Sequence, residues 1–480
     1  MEFNSVEFLC IFLPVCILLL AIFPKKAGGL LILFSSIFYT WNSLLGFLIL
    51  LFSIIVVHYL REKLNRHILM KICLSILLIA PFLFFRSSIF LEGLFPILSE
   101  IQKTYPEALI LPAGVSFYTF QLLGYFWDNQ PSRKDVKLYE STLFALFFPQ
   151  LIAGPIERAN KLIPQLRELF KTGVCFQNYS IKNSLYFISL GLFLKTFFAD
   201  VQGHVVINSY YQKGSLAAII QILSDGSVIY FDFLGYSLIA IGLASLFGIE
   251  LTLNFQRPYS SINVKEFWRR WHITLTDWFK DYLYKPIASR FNFSRIGITF
   301  ATFIVFISTA LWHGFGNRFL IWGVCHLMLV LLSRIFEPKL NNQMSKNFSW
   351  IFSFICVNIL WVFFFYPLPI CREILSALFS DTIFSSLEFK DIAKIIIVLF
   401  SVIVGLLFDP ETILMVDKKI PISEIKHQKF DSESVILSKT SRRISKSIRG
   451  LTLNYPFIIM IFLSSVAFLS YAKTFVYFRF

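Results

Sequence analysis

Two histidines carry the clearest chemical potential in this sequence. His313 stands in Ala310-Leu-Trp-His-Gly-Phe-Gly-Asn317, a polar interruption of an apolar stretch from Ile296 to Leu332. Polar groups are costly inside a membrane span, so their positions are the first place to look for function. Imidazole titrates near neutral pH and can take the proton of a hydroxyl, which an alcohol acceptor must lose as it attacks an acyl carbon. Gly314 and Gly316 let the backbone bend and a substrate approach; the competing reading is a histidine satisfied by packing. His326, farther along without such neighbours, reads as structural. His272 lies in Glu266-Phe-Trp-Arg-Arg-Trp-His-Ile-Thr-Leu275. At helical spacing Phe267, Trp271, Leu275, Trp278 and Tyr282 share one face, with Arg269, Arg270, Asp277, Lys280 and Asp281 largely elsewhere. That pattern predicts an amphipathic helix at a membrane interface. Its paired arginines suit a phosphate, of a lipid or of a phosphorylated donor, or else plain anchoring.

Two further segments set Pro and Gly in apolar surroundings. Leu111-Pro-Ala-Gly-Val-Ser-Phe117 reads either as a cavity wall or as a kinked helix packed closely at Gly114. In Phe148-Pro-Gln-Leu-Ile-Ala-Gly-Pro155 the prolines forbid a continuous helix, so the segment is either a re-entrant loop turning at Gly154 or a structured connection. Gln150 here, and Asn317 beyond the glycines, are candidate substrate contacts.

The elements that must position these groups follow from composition. Of 480 residues, 56% are hydrophobic and 15% charged, against about 25% charged in soluble domains. This excludes an ordinary soluble enzyme and predicts an all-α polytopic membrane protein. About eleven segments approach the length of a membrane span, near residues 8–23, 29–39, 44–60, 72–85, 108–127, 185–198, 228–249, 296–332 (two), 350–368, 392–407 and 457–468. The shorter runs 89–98 and 143–152 read as re-entrant or interfacial pieces. The chain reads as one domain over 1–480, with N-terminal helices in 1–107, a core in 108–335 and C-terminal helices in 336–480. The net charge of +15 marks cytoplasmic loops rather than nucleic-acid binding. Lys25, Lys26, Arg61, Lys63, Arg66 and Lys71 put the amino terminus outside, and the basic stretch 418–449 reads as a cytoplasmic loop against anionic headgroups of membrane lipids. Glu2 and Glu7 precede the first apolar run, unlike a cleaved signal peptide. The cysteines show no metal-binding spacing, and no nucleotide signature calls for a bound cofactor.

The ordered series Leu111-Pro-Ala-Gly-Val-Ser-Phe117, Phe147-Phe-Pro-Gln-Leu-Ile-Ala-Gly-Pro155, Tyr230-Phe-Asp-Phe, Asn254-Phe-Gln-Arg-Pro-Tyr259, Glu266-Phe-Trp-Arg-Arg-Trp-His272 and Leu311-Trp-His-Gly314 resembles the membrane-bound O-acyltransferase (MBOAT) family, in its bacterial branch that includes the alginate O-acetylation protein. The ending Phe475-Val-Tyr-Phe-Arg-Phe480 also looks like that branch. The resemblance implies an MBOAT fold, a ring of helices with re-entrant and interfacial pieces around a central tunnel, in the inner (cytoplasmic) membrane. It implies that His313 is the central catalytic histidine and His272 a second histidine near the tunnel. One departure is Leu238, where related sequences usually carry an acid.

The reaction so implied moves an acetyl group from cytoplasmic acetyl-CoA toward hydroxyls of an extracytoplasmic polysaccharide or envelope glycan, through an extracytoplasmic acetyltransferase partner. In it His313 takes the proton, His272 orients the carbonyl or stabilises the oxyanion, Trp312 shapes the tunnel, and Arg269 and Arg270 stand at the donor entrance. Two alternatives are D-alanyl transfer toward teichoic acid from a carrier-protein thioester, and, from a different class, transport of a lipid-linked sugar.

Overall fold

Hydrocarbon offers no partner to a backbone amide, so apolar runs of this length satisfy their own N–H and C=O groups as helices. The computed structural model describes residues 1–63, 67–86, 112–128, 136–174, 178–207, 214–336, 342–381, 389–408 and 455–469. The run 89–98, Leu111, the basic stretch 418–449 and the ending 475–480 lie outside the described residues. Among those described, all regular elements are helical. Among the described residues, seven helices are long and apolar enough to cross a membrane: Leu44–Arg61, Ile68–Arg86, Ile181–His204, Ser215–Leu246, Arg295–His313, Asn317–Phe336 and Gln343–Phe365. This is a multi-pass membrane protein.

One difference from eleven separate spans has a physical cause. The first two apolar runs, Phe8–Ile22 and Pro24–Asn42, form a single pair bent by 112°; Pro24 has no amide to carry the helix through the bend. The helix Phe389–Leu407 has an apolar part over 392–407, residues 455–467 form a shorter apolar helix within the described residues, and the run ending at Trp127 is described as a 13-residue helix, Val115–Trp127. Hydropathy counts apolar residues but not direction.

The chain divides into two compact units that interleave in sequence, Met1–Ile188 with Tyr236–Thr252, and Ser189–Gly235 with Leu253–Phe480. In the first unit, Gly114 takes φ 83° ahead of the helix Val115–Trp127, and a Cβ there would lie 2.5 Å from the carbonyl oxygen of Leu151. This is the close packing at Gly114 that the Pro-Ala-Gly segment allowed. The chain after Leu138–Leu146 makes one short turn, Phe148–Leu151, and all four of its residues are buried. Pro149 cannot donate, and the Phe148 amide turns to Ser35 Oγ (3.1 Å). The carbonyl of Phe144 is taken instead by two side-chain amides, Gln121 Nε2 and Gln150 Nε2, each at 2.8 Å. Gln150, a candidate substrate contact from sequence, thus commits its nitrogen to repairing a broken helix end. Leu238 is wholly buried in this unit.

Candidate active site

The second unit builds its site on a strained lap of chain. Asn254 to Arg257 runs beside Arg270 to Ile273, joined by Gln256 N–H to the Arg270 carbonyl (3.0 Å) and Ile273 N–H to the Asn254 carbonyl (2.9 Å). At its corners Arg257 (φ 52°) and His272 (φ 45°) adopt left-handed conformations without being glycine, a strain of about 1–3 kcal/mol each that the surrounding contacts must over-determine. The continuous amphipathic helix expected through this region is therefore broken. Val264–Arg270 ends at an extended Trp271, and Ile273–Phe279 starts after the left-handed His272. The apolar stripe also faces protein rather than headgroups. Trp271 packs against Trp361 (ring centroids 4.9 Å) and Phe255 (5.1 Å) and is 1% exposed.

His272 is held from several directions. Its Nδ1 lies 3.3 Å from Asn254 Oδ1, which also accepts the Thr274 hydroxyl at 2.6 Å. An amide oxygen only accepts, so this arrangement puts the imidazole proton on Nδ1 and the lone pair on Nε2. Phe233 meets the ring edge-on at 4.6 Å. Burial pushes the His272 pKa down to about 3, so the imidazole is neutral across the physiological range.

His313 closes the helix Arg295–His313 and is also buried. Its ring packs on Trp312 (4.5 Å), Phe364 (4.7 Å) and Trp322 (5.1 Å). Trp312 in turn lies 6.4 Å from His272. One indole thus lies against both imidazoles, bringing together three residues that are widely separated or merely adjacent in sequence. His326, read as structural, joins the same aromatic cluster. Its Nδ1 accepts from Trp268 Nε1 at 3.3 Å, and its ring lies 4.9 Å from Trp322, which also touches His313. The spacing of Trp322 and His326, four residues apart on one helix, was the available signal.

The two arginines part company. Glu266 grips both, through Arg269 Nη1 (2.5 Å) and Arg270 Nε (3.8 Å), but the Arg269 side chain is 49% exposed and that of Arg270 only 4%. Arg270 also donates to the Gln256 carbonyl (3.5 Å), so it ties the lap together while Arg269 remains reachable. Asn317 is exposed at the start of its helix. Among the described residues no three His, Cys, Asp or Glu side chains converge as a metal site.

The model of the membrane-bound O-acyltransferase family, MBOAT, matches residues 128–371, which include every element of this cluster. The chain belongs to the MBOAT family. A peptidoglycan O-acetyltransferase from Helicobacter pylori is 33% identical over 55% of this chain, a match spanning 56% of that relative's length. A probable alginate O-acetylase, AlgI, from Pseudomonas putida is 30% identical over 76% of this chain and 77% of its own. A teichoic acid D-alanyltransferase from Bacillus subtilis is 27% identical over 55% of this chain and 68% of its own.

For an MBOAT protein the arrangement has definite chemical capacity. A buried imidazole can exchange a proton with a hydroxyl without competition from bulk water, and a second, fixed in one tautomer, can accept from a neighbouring polar group of the substrate and hold it in place.

Proposed function

We propose that this MBOAT protein transfers an acetyl group from acetyl-CoA, taken from the cytoplasmic side of the inner membrane, to hydroxyls of an extracytoplasmic polysaccharide or other envelope glycan. The observation that carries this reading is the packing of His313 and His272 against the same Trp312 indole. The acceptor oxygen attacks the thioester carbonyl; a C–O bond forms, the C–S bond breaks, and the hydroxyl proton passes through His313 to the departing sulfur as free CoA leaves. Neutral His272, with its proton committed to Asn254, presents Nε2 as an acceptor. That suits it to accept from a neighbouring hydroxyl of the acceptor and so orient it, rather than to donate to the oxyanion. Arg269, half-exposed, offers a guanidinium suited to phosphates of the donor. A bulky polymer is served most simply if a second, extracytoplasmic acetyltransferase receives the group on the far side.

The test is to incubate membranes carrying the full-length chain with acetyl-labelled acetyl-CoA and follow the label into lipid, protein and polymer fractions. Label should reach a hydroxyl ester outside the membrane, and His313→Ala should cut transfer by at least about 100-fold while the protein stays in the membrane. Wild-type rates in His313→Ala would sink the assignment. The similarity to a teichoic acid D-alanyltransferase favours a second reading, in which a carrier-bound D-alanyl thioester is the donor. Supplying D-alanine on its carrier protein in place of acetyl-CoA separates the two.

A further inference from the structure

Behind His272 lies a buried charge cluster that the proposed chemistry does not use. Lys195 Nζ is 2.6 Å from Asp200 Oδ1 and 2.6 Å from Asp232 Oδ1, and the three side chains are 2%, 3% and 1% exposed. Ionisable groups in a membrane span are expensive and mark function by default. Lys195 and Asp200 are five residues apart, which on an α-helix would point them well away from each other. They meet because Leu194–Val201 winds as a π-helix, whose repeat is wider and which is frequent at functional sites. Asp232 reaches the same ammonium from the helix Ser215–Leu246.

That second helix is held on two faces. On one, Asp232 grips Lys195, and three residues later Gly235 lets the backbones close up. A Cβ at Gly235 would stand 2.7 Å from the Gly191 carbonyl oxygen and 2.9 Å from the Lys195 nitrogen. On the other, Tyr230 and Phe233, also three apart, meet the catalytic lap: Tyr230 lies 5.7 Å from Phe255, and Phe233 lies 5.1 Å from Phe255 and 4.6 Å from His272. Sliding or rotating the helix at Asp232 therefore moves the ring that walls His272. Asp200 shares the ammonium but belongs to the π-helical segment Leu194–Val201, not to the helix that carries Phe233.

We infer that the Lys195–Asp232 ion pair is a positioning clamp for His272, fixing the register of the helix Ser215–Leu246 so that Phe233 holds the imidazole in place. Lys195 and Asp232 are positioning residues, and Asp200 serves to complete the ammonium's shell. The effect on turnover rests on the acyl-transfer reading; the effect on His272 itself does not.

Asp232→Asn and Asp200→Asn make the test, because each leaves Lys195 paired with one carboxylate and removes one formal charge from the same cluster. In the full-length protein, diethyl pyrocarbonate modification of His272, followed by mass spectrometry, should be about fivefold faster in Asp232→Asn than in wild type, and within twofold of wild type in Asp200→Asn. Thiol release from acetyl-CoA in membranes should show kcat falling about fivefold in Asp232→Asn with KM for acetyl-CoA within twofold, and Asp200→Asn close to wild type. Melting temperature reports folding in both. Equal changes in the two variants, or unchanged His272 reactivity in Asp232→Asn, would overturn the clamp. Wild-type membranes that release no CoA would instead remove the acyl-transfer reading, while the labelling asymmetry still decides the clamp.

Discussion

Burial of His272 makes a prediction about pH that can be worked through. In the unfolded chain the imidazole titrates near 6.5, whereas in the folded protein burial holds its pKa down to about 3. A histidine with a depressed folded pKa resists protonation, so the unfolded state binds the proton first as pH falls. Stability is unaffected above the unfolded pKa and is lost progressively between about pH 6.5 and pH 3. Between pH 7 and pH 5 this single site costs about 2 kcal/mol. For a chain this long that corresponds to about 2 °C of melting temperature. The ring is 2% exposed, so solvent screening does little to reduce the effect. The measurement is thermal unfolding of detergent-solubilised protein across pH 5–7.5, wild type against His272→Asn, an amide that tolerates the left-handed backbone at this position. The variant should lose that part of the acid slope even if its melting temperature at pH 7.5 is lower. Parallel slopes for the two proteins would refute the argument, because they would mean that His272 protonates as easily folded as unfolded.

Gly114→Ala should cost about 2 kcal/mol or more, since alanine must take the left-handed backbone and its Cβ would press on the Leu151 carbonyl oxygen at 2.5 Å; a melting temperature within error of wild type would contradict this. Asn254→Ala strips the shared acceptor from Thr274 and His272, leaving buried donors at a cost of about 2 kcal/mol. Its acetyl transfer should fall further than its stability predicts, as read by rate and melting curve together. Trp312→Phe keeps a ring against His313 and should retain transfer within about 10-fold, whereas Trp312→Ala should lose about 100-fold or more; equal rates in the two would remove the indole from the site.

Much of the architecture is legible in the sequence because hydrocarbon imposes a length and a composition on each span. Leu44–Arg61, Ile68–Arg86 and the pair from Arg295 to Phe336 follow from hydropathy alone. Direction is another matter. Pro24, Lys25 and Lys26 mark an interruption between Phe8 and Asn42, but not that the chain bends there by 112°. The break at His272 is less visible still, since Phe267, Trp271, Leu275 and Trp278 keep a helical stripe in sequence while the chain turns through a left-handed residue. What enforces the turn is Asn254, eighteen positions away, which takes the Ile273 amide on its carbonyl and the Thr274 hydroxyl on its side chain. The Lys195–Asp200 pair is hidden for a related reason: an i,i+5 spacing carries no meaning until a π-helix gives it one.

These cases explain why one polar residue in an apolar run marks chemistry and another does not. A buried amide answers first to the backbone around it. Where the chain is broken, as at Pro149, carbonyls lose their helical donors, and a nearby glutamine is drawn to them; Gln150 and Gln121 both spend their nitrogens on Phe144. Where the chain folds back and pairs with itself, as Asn254–Gln256 does with Arg270–Ile273, the Asn254 carbonyl and the Gln256 amide are already satisfied by backbone. The Asn254 side chain is then available to fix the tautomer of a histidine. The same residue type therefore repairs the fold in one place and prepares a reactive group in the other. The deciding quantity is how many backbone hydrogen bonds the local chain has left unmade, which depends on contacts formed only after folding.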